Sequence, residues 1–257
     1  MVITTTAVAF ITSSFGLGLC GFLFLRAFRK MGGLATGNKA SFLFLGLIFS
    51  TAIQHSIMGF GNLFFAQSST ALQGVVVVAN IFLALSSAFG TYLISYLFLT
   101  KLSPWPVTII TSLLGFAVVL ATGLAKFSPF VDVGGGIDWN FPHWLEVLIY
   151  LLVFVNIATL LCASVAMFFR SKNPAVRIVS LALIIVTSLG LMNIFLRFIL
   201  LPATVGPLRT RFFDVTLITI GLVLITGLLM APFLRKRISD YWMSKGGKKD
   251  MEPPKYV

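Results

Sequence analysis

The sequence predicts an all-α fold: a polytopic integral membrane protein, built as a seven-transmembrane-helix bundle with its N-terminus out and its C-terminus in. Three observations carry that expectation. Of 257 residues, 58% are hydrophobic and only 10% are charged, where a soluble domain carries about 25% charge. The apolar residues fall into seven runs, each close to the ~20 residues that a helix needs to cross a hydrocarbon layer. Lys and Arg collect in alternate connections, as the positive-inside rule requires of a multi-span chain.

The runs lie at 5–25, 40–65, 71–99, 106–125, 144–169, 178–201 and 212–234. None alternates with the period of two that marks a barrel strand. In lipid each backbone amide must be satisfied within its own segment, so each run is read as a helix. The first, "MVITTTAVAF" onward, has no basic residue ahead of it and "RAFRK" behind it. It reads as an anchor and not as a cleaved signal peptide, with its start driven outward. "AQSST" links runs two and three, and "TKLSPW" links three and four, with Pro106 opening the fourth helix and Trp105 at the interface. The longest link, "KFSPFVDVGGGIDWNFPHW", holds a Gly triplet for turning. Its Asp132, Asp138, His143 and Glu146 match no metal-site spacing and read as a solvated loop. "RSKNPAVR" joins runs five and six, and "LPATVGPLRTR" joins six and seven. Residues 1–234 thus form the transmembrane domain, and 235–257 form a basic, Gly/Pro-broken cytoplasmic tail.

This layout puts Arg26, Arg29, Lys30, Lys39, Lys101, Arg170, Lys172, Arg177 and the tail cations inside, leaving Lys126, Arg197, Arg209 and Arg211 outside. The net charge of +12 therefore reads as a topology signal and as an attraction of the tail to anionic inner-leaflet lipids. No organised basic face supports nucleic-acid binding. The bilayer is the expected solvent, in a cell or inner membrane.

Polar residues inside apolar runs are the candidate site. Gln54 and His55 fall mid-run in the second helix, Asn80 in the third, Asn156 in the fifth, and Asn193 in the sixth. Asn193 and Arg197 are four apart and share a helix face. Asp214 falls in the first turn of the seventh helix, at a depth where Arg197 can pair with it and where the helix dipole favours a carboxylate. If these seven side chains converge, they line a polar ligand-binding cavity in the outer half of the bundle. The competing expectation is interhelical hydrogen bonding, worth about 0.6–2 kcal/mol per contact. His55 is read as structural, or as binding or proton-linked. Ser14 with Gly18 reads as a small-residue packing pair. Cys20 and Cys162 form no disulfide framework and no zinc spacing. No metal site, cofactor motif or catalytic constellation is found, so no enzymatic activity is expected.

"FFDVTLITIG" is similar to the seventh-helix pattern of the microbial rhodopsins, in which an aspartate precedes the retinal lysine by four residues. The position four after Asp214 is Ile218, and none of the seven runs contains a lysine. The third run also lacks the arginine and acidic counter-ion of that family. The resemblance therefore implies a shared topology without covalent retinal. "LCGFLFLRAFRK" and "LCASVAMFFRSK" close the first and fifth runs alike, as a three-plus-one-plus-three parallel repeat would. A sugar-transporter family has that plan, but its proline motifs are missing here.

Three functions are compatible with these features. The first is a non-enzymatic, sensor- or receptor-like protein that binds a small or apolar ligand in the outer pocket and acts through a protein partner. The second is an accessory or scaffolding subunit of a larger membrane complex, suited by 26 phenylalanines. The third is a small-molecule transporter with a site around His55, Asn80 and Asn156.

Overall fold

A computed structural model describes residues 3–30, 39–98, 103–171, 174–195 and 206–245, with the backbone alone described at 27–30, 174–175, 206–209 and 230–245. It contains seven helices, α1 (Thr5–Lys30), α2 (Lys39–Phe65), α3 (Ser69–Phe98), α4 (Trp105–Leu124), α5 (His143–Arg170), α6 (Pro174–Phe195) and α7 (Gly206–Lys245). All seven are long and apolar enough to cross a membrane. Between α4 and α5 a short antiparallel hairpin pairs β1 (Phe130–Val131) with β2 (Ile137–Asp138).

Capping chemistry sets helix starts that the apolar pattern leaves vague. Thr4 accepts the Ala7 amide through Oγ1 at 3.1 Å and opens α1. Ser68 accepts the Ala71 amide through Oγ at 3.3 Å and opens α3 at Ser69, two residues before the apolar run begins. Both side chains satisfy a helix-terminal N–H that has no intrahelical acceptor. Helix α7 exceeds its apolar run at both ends, continuing through "RKRISDYWMSK" to Lys245. The start of the tail is thus helical, since no glycine or proline interrupts the chain between Pro232 and Gly246.

Around the bundle the helices pack in the order α1–α2–α3–α5–α6–α7, and α7 closes against α1. Helix α4 stands outside this ring, packed on α3 and touching α5 slightly. Its buried residues, Thr108, Thr111, Gly115, Val118 and Thr122, form one narrow stripe with spacings of three and four. Ile109, Ile110, Leu113, Phe116 and Leu120 point away from the protein. A side chain at Gly115 would place its Cβ 2.5 Å from the Ala84 Cβ, so this glycine lets α4 seat against α3. Helices α1 and α7 approach backbone to backbone, where a Cβ on Gly221 would lie 2.6 Å from the Thr12 carbonyl carbon. Small residues at crossings substitute here for the hydrophobic driving force that lipid does not supply. Of the expected packing pair on α1, Ser14 donates to the Ala52 carbonyl at 2.9 Å and meets Ser56 Oγ at 2.5 Å. Gly18 has open space where its Cβ would be, so it is no part of that contact.

The neighbour pattern is the same in both halves. α1 on α2 matches α5 on α6, α2 on α3 matches α6 on α7, and the closing contacts α1 on α7 and α3 on α5 correspond. The two Leu-Cys positions that suggested a repeat are not equivalent in environment, because Cys20 is buried and Cys162 exposed.

Candidate functional site: a cavity beneath the hairpin

The ring encloses a cavity of about 400 Å3, within the range of small-molecule sites. It is lined by α1, α2, α3, α5, α6, α7 and the hairpin segment, while α4 contributes nothing to its wall. It occupies the end of the bundle that carries the start of α1 and reaches as deep as Leu17 and Leu160. Six of the seven candidate residues, Gln54, His55, Asn80, Asn156, Asn193 and Asp214, line this one space. Arg197, and with it the expected pair with Asp214, lies outside the described residues.

The six divide by what their polar atoms already do. Asn80 donates to Thr122 Oγ1 at 3.0 Å and ties the outlying α4 to α3. Asn156 donates to Ser86 Oγ and ties α5 to α3. Asp214, 1% exposed, accepts at Oδ2 from Thr5 Oγ1 at 2.7 Å and Thr6 Oγ1 at 2.9 Å, joining α7 to α1. These three are structural anchors whose flanks face the cavity.

The other three line the space and each keeps a polar atom without a partner among the described residues. Ser13 Oγ lies 2.7 Å from His55 Nδ1, and Phe10 meets the imidazole edge-on with ring centroids 5.3 Å apart. Among the described residues the imidazole makes no other hydrogen bond, nor does the Gln54 amide make any. Asn193 is 4% exposed and its Nδ2 has no hydrogen-bond partner. An unmade hydrogen bond in such a site costs about 1–3 kcal/mol, so the Gln54 amide and the second imidazole nitrogen invite a polar atom from whatever fills the cavity.

The long connection covers the mouth. Asp132, expected to be solvated, is 8% exposed and organises the turn, its Oδ1 accepting the Gly134 amide at 2.7 Å and the Gly136 amide at 3.0 Å. Gly135 takes φ +77°, a left-handed backbone that glycine adopts without strain. Gly136 serves a different purpose, since a Cβ there would meet Thr210 Cγ2 at 2.6 Å. The hairpin is fastened to α1 by Thr5 N–H donating to the Gly135 carbonyl at 2.9 Å and by Ile137 N–H donating to Thr6 Oγ1 at 2.9 Å. Trp139 stacks on Phe141, which packs edge-on against Phe127 at 4.9 Å. Asp138, His143 and Glu146, also expected to be solvated, contribute to the cavity wall at this end. Sequence reasoning missed Ser13, Thr6 and the Trp139–Phe141 pair. A helix serine ordinarily bonds its own backbone, and nothing local marks Ser13 as the partner of a histidine forty-two residues on.

Comparison with protein-family models finds no match for this chain, and no curated protein matches it significantly.

Proposed function

We propose that this chain is a non-enzymatic integral membrane protein, crossing the bilayer seven times with its amino terminus outside. It binds a small, largely apolar ligand in the cavity beneath the hairpin and acts as a sensor through a protein partner. The layout of basic residues supports the sidedness, and the basic stretch beyond Leu234 faces anionic inner-leaflet lipid. One observation carries the binding role: a 400 Å3 space ringed by six helices is lined by the Gln54 amide and by a His55 imidazole whose second nitrogen has no partner among the described residues.

Native mass spectrometry of the full chain extracted from its membrane tests this reading. A bound mass on the wild type that disappears in Thr187→Phe is the expected result. Among the described residues the Thr187 hydroxyl bonds its own helix alone, donating to the Leu183 carbonyl at 2.7 Å and the Ile184 carbonyl at 3.2 Å. The new ring therefore fills the cavity without breaking a contact between helices. A bound mass that persists in the filled variant would place the ligand elsewhere.

A second reading, a transporter, draws support from the matched neighbour pattern of α1–α3 and α5–α7, with the cavity between the two halves. It predicts solute flux in reconstituted vesicles that drops in His55→Ala. Flux that is unchanged would remove His55 from any such pathway.

A further inference from the structure

The polarity of the cavity's deepest polar groups narrows the ligand class, on the premise that the cavity is a ligand site. Ser13 is fully buried and its hydroxyl has one hydrogen to place. Several other buried hydroxyls of the bundle donate to the carbonyl four residues back, as Thr51 does to Leu47 at 2.9 Å and Ser164 does to Leu160 at 2.7 Å. Ser13 makes no such bond, and its one partner among the described residues is His55 Nδ1 at 2.7 Å. If Nδ1 carried the proton, the serine hydrogen would be stranded in an apolar core at the cost of an unmade bond. The serine therefore donates to Nδ1, which fixes the tautomer with its proton on Nε2. The imidazole thus offers the cavity an N–H donor. Asn193, on α6 across the ring, lines the same space, but its Nδ2 is sealed from it. The wall around the imidazole includes Phe10, Leu17, Met58 and Phe213, with the Gln54 amide beside it.

We infer that the cavity selects apolar molecules that carry a hydrogen-bond-accepting oxygen, a ketone, ester or ether, seated against the His55 Nε2–H. A pure hydrocarbon of the same shape fills the space but leaves that donor unmade.

The test uses the full chain in lipid nanodiscs and benzophenone as a photolabel, with sites of attachment read by peptide mass spectrometry. Fluorenone and fluorene, which share one rigid outline and differ in a single carbonyl oxygen, serve as competitors. Fluorenone is expected to suppress labelling of cavity-lining peptides at about tenfold lower concentration than fluorene, the discrimination that one donor in a water-excluded site provides. In His55→Phe that preference shrinks while both competitors still act. Equal competition by the two molecules in the wild type would overturn the inference and leave the cavity as an unselective apolar site. Labelling that avoids the cavity-lining peptides would remove the ligand site itself.

Discussion

Asp214 is the residue on which the hairpin end of the bundle is assembled. Its Oδ2 gathers the Thr5 and Thr6 hydroxyls, and Thr6 Oγ1 in turn accepts the Ile137 amide, so one carboxylate holds α7, α1 and β2 together. Asp214→Ala strands the buried Thr6 hydroxyl and is expected to lower stability by about 1–3 kcal/mol. Asp214→Asn retains one carbonyl acceptor and loses less. Thermal unfolding in detergent checks the order wild type, Asn, Ala, and a midpoint unmoved by Asp214→Ala would contradict it. Asn80 and Asn156 make one bond each to α4 and α3 respectively, at Thr122 and Ser86. Alanine at either is expected to cost about 0.6–2 kcal/mol, the range of interhelical hydrogen bonds in membranes, read in the same unfolding measurement.

Among the elements, α1 and α7 cross with backbone close to backbone. Gly221→Ala drives a methyl to 2.6 Å from the Thr12 backbone, where neither helix can give way, and overpacking of that kind costs about 1–3 kcal/mol. Gly18→Ala, on the same α1 but facing open space, is expected to leave stability unchanged or raise it slightly through helix propensity. Equal effects of the two substitutions would show that the crossing is looser than its geometry. At the hairpin, Gly136→Val sets a branched side chain against Thr210 and is expected to lift β2 from α7, read as faster hydrogen exchange at the Ile137 amide.

The elements also show what the sequence made legible. Seven apolar runs stand out because hydrocarbon thickness fixes their length, and their centres match the helices. Their ends do not, since Thr4 and Ser68 cap by side-chain bonds that hydropathy ignores. The peripheral place of α4 was readable in principle, from a single stripe of small residues at Thr108, Thr111, Gly115 and Thr122 against apolar residues all round. Long-range partners were not readable. Nothing near His55 announces Ser13, and nothing in a polar loop with three glycines announces that Asp132 will be buried and the loop folded over a cavity. The candidate polar residues were found because a polar side chain in an apolar helix is costly. Which of them bond a neighbouring helix and which face open space is decided by helix rotation, which the sequence encodes only through packing.

For the whole molecule, the account rests on a bundle that stands across a bilayer with its cavity and hairpin on the face of the amino terminus. Asp138, on β2 at the cavity mouth, gives that claim a single position to probe. Asp138→Cys in a chain whose Cys20 and Cys162 are replaced by Ser carries one thiol, which a membrane-impermeant maleimide can reach from one side alone. Labelling in intact cells, together with a carboxyl-terminal tag that antibody reaches only after permeabilisation, is the predicted result. Thiol and tag both reached only after permeabilisation, or both without it, would contradict the account.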